Sequence, residues 1–229
     1  MPSSAQIAFA LAVLAFGSVE AAMGPAFSTG PVSDNSWIRE ATSTLVLPQA
    51  PSNNQGDASL WVGMGTSNGD LIQAIADNWQ SDAWSVYAYT LTSTSENTQM
   101  PVQGPAKDAT AGQRVTMHCM DIFKMKDDKY DDASGNYTQT AQINNRTVST
   151  LSTSSGHAQG WGSSVECAEE NCGTVGAHSW INTKIILDTA DPDYINTMGK
   201  GEGVTGDMKT SDGGKTWTVS RIDIPEYSF

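Results

Sequence analysis

One amide interrupts an otherwise apolar alternation in this chain. Residues 58–65 (Ala-Ser-Leu-Trp-Val-Gly-Met-Gly) and 70–77 (Asp-Leu-Ile-Gln-Ala-Ile-Ala-Asp) read as two strands joined by the polar turn Thr66-Ser67-Asn68-Gly69. In the second strand Gln73 shares a face with Leu71 and Ile75, and Ile72, Ala74 and Ala76 take the other. An uncharged amide offers two donors and an acceptor. Held in a groove it can bind a substrate oxygen or stabilise an oxyanion; at a sheet edge it only meets water. The other groups suited to chemistry are His157, His178, Tyr87 and Tyr89. A His/Tyr couple can move protons in polysaccharide β-elimination. Trp61, Trp84, Tyr87, Tyr89 and Trp180 offer ring faces for stacking on sugars or peptide. The same rings can equally fill a core, and Trp61 and Trp84 are expected there. Three His and three Cys show no metal-ligand spacing, so no metal and no cofactor is expected.

The elements that must position these groups are short alternating runs. Strands are expected over 42–47, 59–64, 70–77, 83–91, 113–123, 137–144, 146–152, 177–187 and 216–224, with Gly, Asn, Asp and Ser between them. No amphipathic helix is evident. Strands at this spacing give an all-β fold, a two-sheet antiparallel β-sandwich. Asn144-Asn145 marks a hairpin between two Thr-rich strands. The charged stretch 124–134 reads as a solvated hairpin tip, since its four Asp lack the spacing and Gly of a calcium loop. Thr210–Trp217 (Thr-Ser-Asp-Gly-Gly-Lys-Thr-Trp) reads as a tight structural turn: Asp caps backbone N–H groups, Gly takes positive φ, and Trp packs beneath.

Residues 7–16 form an apolar run too short to span a membrane, followed by small residues ending at Ala21-Ala22. Residues 1–22 therefore read as a secretory signal peptide, leaving 23–229 as one domain. A net charge of −13 argues against nucleic acid or an anionic membrane as partner. In a secreted chain Cys167 and Cys172 make the simplest bridge, and Cys119, in an apolar strand, is expected as a buried free thiol. Asn136 and Asn145 head N-glycosylation sequons.

Trp61-Val62-Gly63, then Ile72-Gln73-Ala74, then the aromatic strand Ala83–Tyr89 together resemble the secreted fungal glutamic peptidases, the eqolisins. The resemblance runs from Trp37 to Leu187. It implies a concanavalin-A-like jelly roll and a Gln–Glu catalytic pair, in which Glu activates a water and Gln stabilises the oxyanion. Gln73 falls on the Gln position. The family's Glu stands before an aromatic residue in a strand soon after a Cys. Matching that aromatic to Trp180 puts Ser179 in the Glu position, and a slip of one residue puts His178 there. Ser cannot serve as a base. The resemblance also implies that the strand 177–187 runs beside 70–77, so that Gln73, Tyr87, His178 or Ser179, and Trp180 converge. Glu166, Glu169 and Glu170 read as members of the Cys167–Cys172 loop region, able to serve only if that region folds into the groove.

Two functions follow. One is a monomeric extracellular binding protein with a degenerate dyad (Gln73 with Ser179 or His178), holding a polysaccharide or polypeptide against Trp61, Tyr87, Tyr89 and Trp180. The other is an active extracellular hydrolase or lyase. Aromatic-on-aromatic matching favours the first.

Overall fold

The computed structural model describes residues 21–95, 98–121, 124–126, 129–131, 135–168 and 171–229. Most of the expected signal segment lies outside these residues, as do Glu169 and Glu170. Strands follow one another almost without helix: β1 (Ala22–Thr29), β2 (Ile38–Val46), β3 (Asp57–Thr66), β4 (Leu71–Trp79), β5 (Trp84–Ser95), β6 (Thr98–Gln103), β7 (Lys107–Ala109) and β8 (Arg114–Asp121). After them come the hairpin β9 (Lys124–Lys126) and β10 (Lys129–Asp131), then β11 (Asn136–Ile143), β12 (Arg146–Ser154), β13 (Ala158–Cys167), β14 (Thr174–Val175) and β15 (His178–Leu187). A 3-10 turn, Pro192–Thr197, precedes β16 (Gly199–Lys200), β17 (Thr216–Ile224) and β18 (Tyr227–Ser228).

All pairings are antiparallel and, apart from the separate two-stranded pairs β9-β10 and β14-β18, form two layers. One layer runs β17-β15-β2-β8-β11-β12. The other runs β16-β1-β13-β3-β4-β5, with β6 and β7 both on the outer edge of β5. A single bridge between Ala158 and Ile38 ties the layers into one continuous sheet. This is the expected two-sheet sandwich.

The period of two decides what the sandwich buries. Leu45, Val115, Met117, Trp180, Ile185, Trp217 and Ile222 point inward from the first layer. Leu60, Val62, Met64, Ile72, Ala74, Val86 and Trp161 meet them from the second. Trp84 is in this core, as expected, with its indole N–H donating to the Pro48 carbonyl. Cys119 is a buried free thiol pushed up to about 12 by burial. Cys167 and Cys172 form the disulfide. The Thr210–Trp217 turn has the expected construction: Asp212 accepts from the Thr216 N–H, Gly213 and Gly214 take positive φ, and Trp217 is buried with its indole N–H on Gly214. Asn145 is exposed in the β11–β12 turn and Asn136 opens β11, half-buried.

β13 was absent from the strand expectations. Its run Gly160-Trp161-Gly162-Ser163-Ser164 carries two Gly and two Ser, residues depleted in strands. Tertiary pairing with β1 and β3 overrides that local signal.

Candidate functional site

The outward face of the second layer holds the candidate site. Across it, register sets rows of side chains. Gly162, Gly63, Gln73 and Tyr89 form one row. Ser164, Trp61, Ile75 and Tyr87 form the next, and Glu166, Ser59, Asp77 and Ser85 the one after. On the far side of the Gln73 row lie Gly160, Gly65, Leu71 and Leu91.

Gln73 is only 4% exposed. A Cβ built on Gly63 would lie 3.0 Å from the Gln73 Cγ, so the Gln73 side chain leans over Gly63 towards β13. Among the described residues its amide has no hydrogen-bond partner.

Trp61 is on the same face but 1% exposed, and its indole N–H donates to Glu166 Oε2 at 2.8 Å. Burial raises the Glu166 carboxyl; the Trp61 hydrogen bond opposes that rise and the Asp77 carboxylate adds to it. Asp77 accepts from the Ser59 hydroxyl at 2.8 Å. Tyr87 and Tyr89 meet edge to face with centroids 5.9 Å apart. Burial raises both phenols, and Asp77 and Asp57 push further on each. Tyr89 also senses Glu166. One end of the face is thus acidic. The other, at Gly63, Gly65, Gly160 and Gly162, carries no side chains; Gly65 and Gly160 are half-buried, Gly63 and Gly162 are buried, and Trp61, Leu71 and Ser28 flank them.

The structure brings together Gln73, Tyr87, Tyr89 and Trp61. It does not bring His178, Ser179 or Trp180 to them. The strand β15 pairs with β2 and β17 in the opposite layer, not with β4. Trp180 is fully buried in the core. His178 is buried as well, its Nδ1 on the Gly176 carbonyl, and burial lowers it to about 4. Ser179 points to the outer side of its own layer, where it donates to Asp223 at 2.6 Å and accepts from Arg221 at 2.7 Å. The expected adjacency of 177–187 and 70–77 is therefore corrected. The strand that lies two places from β4 is β13, which the sequence did not announce. His157 is engaged elsewhere, stacked on Trp37 at 4.2 Å.

Glu166 is the residue whose place changes most. It belongs to β13 itself, on the groove face, rather than to the disulfide loop. One signal was available: in Gly160–Cys167, Gly162, Ser164 and Glu166 alternate with Trp161, Ser163 and Val165, a period of two hidden by small residues.

No protein-family model matches the chain, and no curated protein sequence does. Solved structures do. Scytalido-glutamic peptidase, crystallised with a peptide-based transition state analog, superposes with a TM-score of 0.53 at 12% identity, over 89% of this chain and 99% of that one. SCP-B, a member of the eqolisin family of peptidases in complex with the tripeptide Ala-Ile-His, superposes with a TM-score of 0.48 at 13% identity, with the same coverage. The class defined by this architecture is an eqolisin-like β-sandwich.

Proposed function

We propose that the protein is an extracellular eqolisin-like β-sandwich that binds an extended polypeptide in the groove around Gln73 without hydrolysing it. The observation that carries this reading is the Gln73 amide, buried, without a protein partner, and flanked in its row by Gly63, Gly162 and Tyr89. A water-activating base and an oxyanion donor must each come within about 3 Å of the reacting atoms. Glu166 stands two strands across and four residues along from Gln73, about 10 Å by about 13 Å in sheet coordinates. An amide with no adjacent base binds a carbonyl; it does not cleave it. The disulfide accords with an oxidising compartment. Polypeptide is favoured over glycan because the peptidase with a similar fold was crystallised with a peptide-based analog.

A second reading, an active acid hydrolase, rests on Glu166: it shares the groove face, is held by Trp61, and its carboxyl is raised. One experiment separates the two. The protein is incubated with an unfolded protein substrate from pH 2 to 5, and peptide binding is measured by calorimetry beside it. Binding lost in Gln73→Ala with no cleavage supports the binding reading. Cleavage abolished by both Gln73→Ala and Glu166→Gln overturns it in favour of the second.

A further inference from the structure

The β11–β12 turn carries a group that the groove does not use. Ile143 pairs with Arg146, so Asn144 and Asn145 make a two-residue loop, at φ +49° and +64°. Asn is among the few residues that take this conformation readily. The two amides are held differently. Asn144 is tied to β8: its N–H donates to the Arg114 carbonyl at 2.9 Å, and its Oδ1 accepts from the Arg114 N–H at 3.3 Å. Asn145 is exposed, and its amide has no hydrogen-bond partner among the described residues. Arg146 and Thr147, which complete its sequon, are exposed as well. Beside the turn lies an open hollow of about 460 Å³, lined by Ile143 and Val148 and by the polar groups of Lys107, Gln113 and Arg146. The second sequon is placed otherwise. Asn136 is half-buried in β11, paired with Ser154, and already makes a contact of its own. Tyr137 beside it is fixed in the core, its hydroxyl donating to the Ile38 carbonyl and accepting from the Ala158 N–H. The Thr138 hydroxyl is hydrogen-bonded to that of Ser152 at 2.8 Å.

We propose that Asn145 carries an N-linked glycan and that Asn136 does not. The proposal rests on the extracellular reading, which takes the chain through a secretory compartment, and is independent of what the groove binds. The donor is an oligosaccharide held on a lipid pyrophosphate. The Asn145 Nδ2 bonds to the anomeric carbon of that sugar. The lipid pyrophosphate leaves with the electron pair of its C–O bond, and the amide gives up one proton. Thr147 supplies the hydroxyl that the acceptor triplet requires. At Asn145 the first sugar enters the hollow and the solvent beside the turn, and no hydrogen bond is lost. At Asn136 it would displace the contact which that residue makes. β12 is the outer strand of its layer, with β11 on one side. A glycan at its first turn shields that sheet edge from pairing with a second chain.

The test expresses the full chain, with residues 1–22 in place, in a eukaryotic cell and recovers it from the medium. Treatment with peptide N-glycosidase, which hydrolyses the sugar–amide link and leaves Asp, is followed by electrophoresis and by mass spectrometry of proteolytic peptides. One shift in mobility is expected, with Asp found at position 145 and Asn kept at 136. Thr147→Ala is expected to abolish the shift, Thr147→Ser to keep it, and Asn136→Gln to leave it unchanged. Occupancy of Asn136, alone or together with Asn145, overturns the assignment. A chain that is secreted without any glycan overturns the proposal and leaves the extracellular reading standing. A chain that stays in the cytosol unmodified overturns both. If Thr147→Ala fails to reach the medium, the modified position in the wild-type chain alone decides.

Discussion

Lowering the pH from 7 to 4 should cost this fold about 3 kcal/mol through one side chain. His178 points into the core, its Nδ1 bonded to the Gly176 carbonyl and its Nε2 without a partner among the described residues. Burial holds it to about 4, against 6.5 for a free histidine. The unfolded chain therefore takes up a proton before the folded chain does. Stability from this group is complete above about pH 6.5, falls as pH drops through the window from 6.5 to 4, and levels off below. The full gap is worth about 3 kcal/mol, most of it already lost at pH 4. Urea unfolding of the wild type and of His178→Phe at pH 7, 6, 5 and 4 isolates the effect. The variant loses the Gly176 hydrogen bond, an offset that does not vary with pH, but its stability should fall by about 3 kcal/mol less than the wild type's over the range. Parallel loss in the two proteins would refute the reasoning, because it would mean that His178 titrates alike in the folded and unfolded chains.

Glu166 should act in the opposite sense. Its carboxyl is raised in the folded state, so its contribution weakens as pH rises; Glu166→Gln should raise the melting temperature at pH 7 and leave it nearly unchanged at pH 3. Gln73→Ala should change the free energy of unfolding by no more than about 0.5 kcal/mol in denaturant melts, since the amide has no partner to lose, while peptide binding fails. Reducing the bridge by Cys167→Ser with Cys172→Ser should cost about 2 kcal/mol, the loop-closure value for so short a ring. Gly173→Ala should cost at least about 2 kcal/mol in the same assay, because φ is +64° and the new Cβ would fall 2.0 Å from the Ser52 oxygen.

The architecture was legible because alternation is a local property. β3, β4, β5, β8, β11, β15 and β17 each announce an apolar face within a few residues. Gln73 was legible on the same ground: a polar residue inside an apolar alternation is visible in the sequence alone. So was the Cys167–Cys172 bridge, where the short spacing left one simple pairing.

Which strands lie beside one another is not local. The sequence determines that 177–187 is a strand with Trp180 on one face and Ser179 on the other. Only the tertiary structure decides that its neighbours are β2 and β17, so that Trp180 fills the core and Ser179 faces Asp223 across the wrong layer. β13 shows the converse. Its glycines conceal it from propensity, because a residue without a side chain carries no periodic signal, yet those glycines are what let the β1 backbone lie close. The amide could be read from the sequence; its sharing a face with Glu166 exists only once three strands meet.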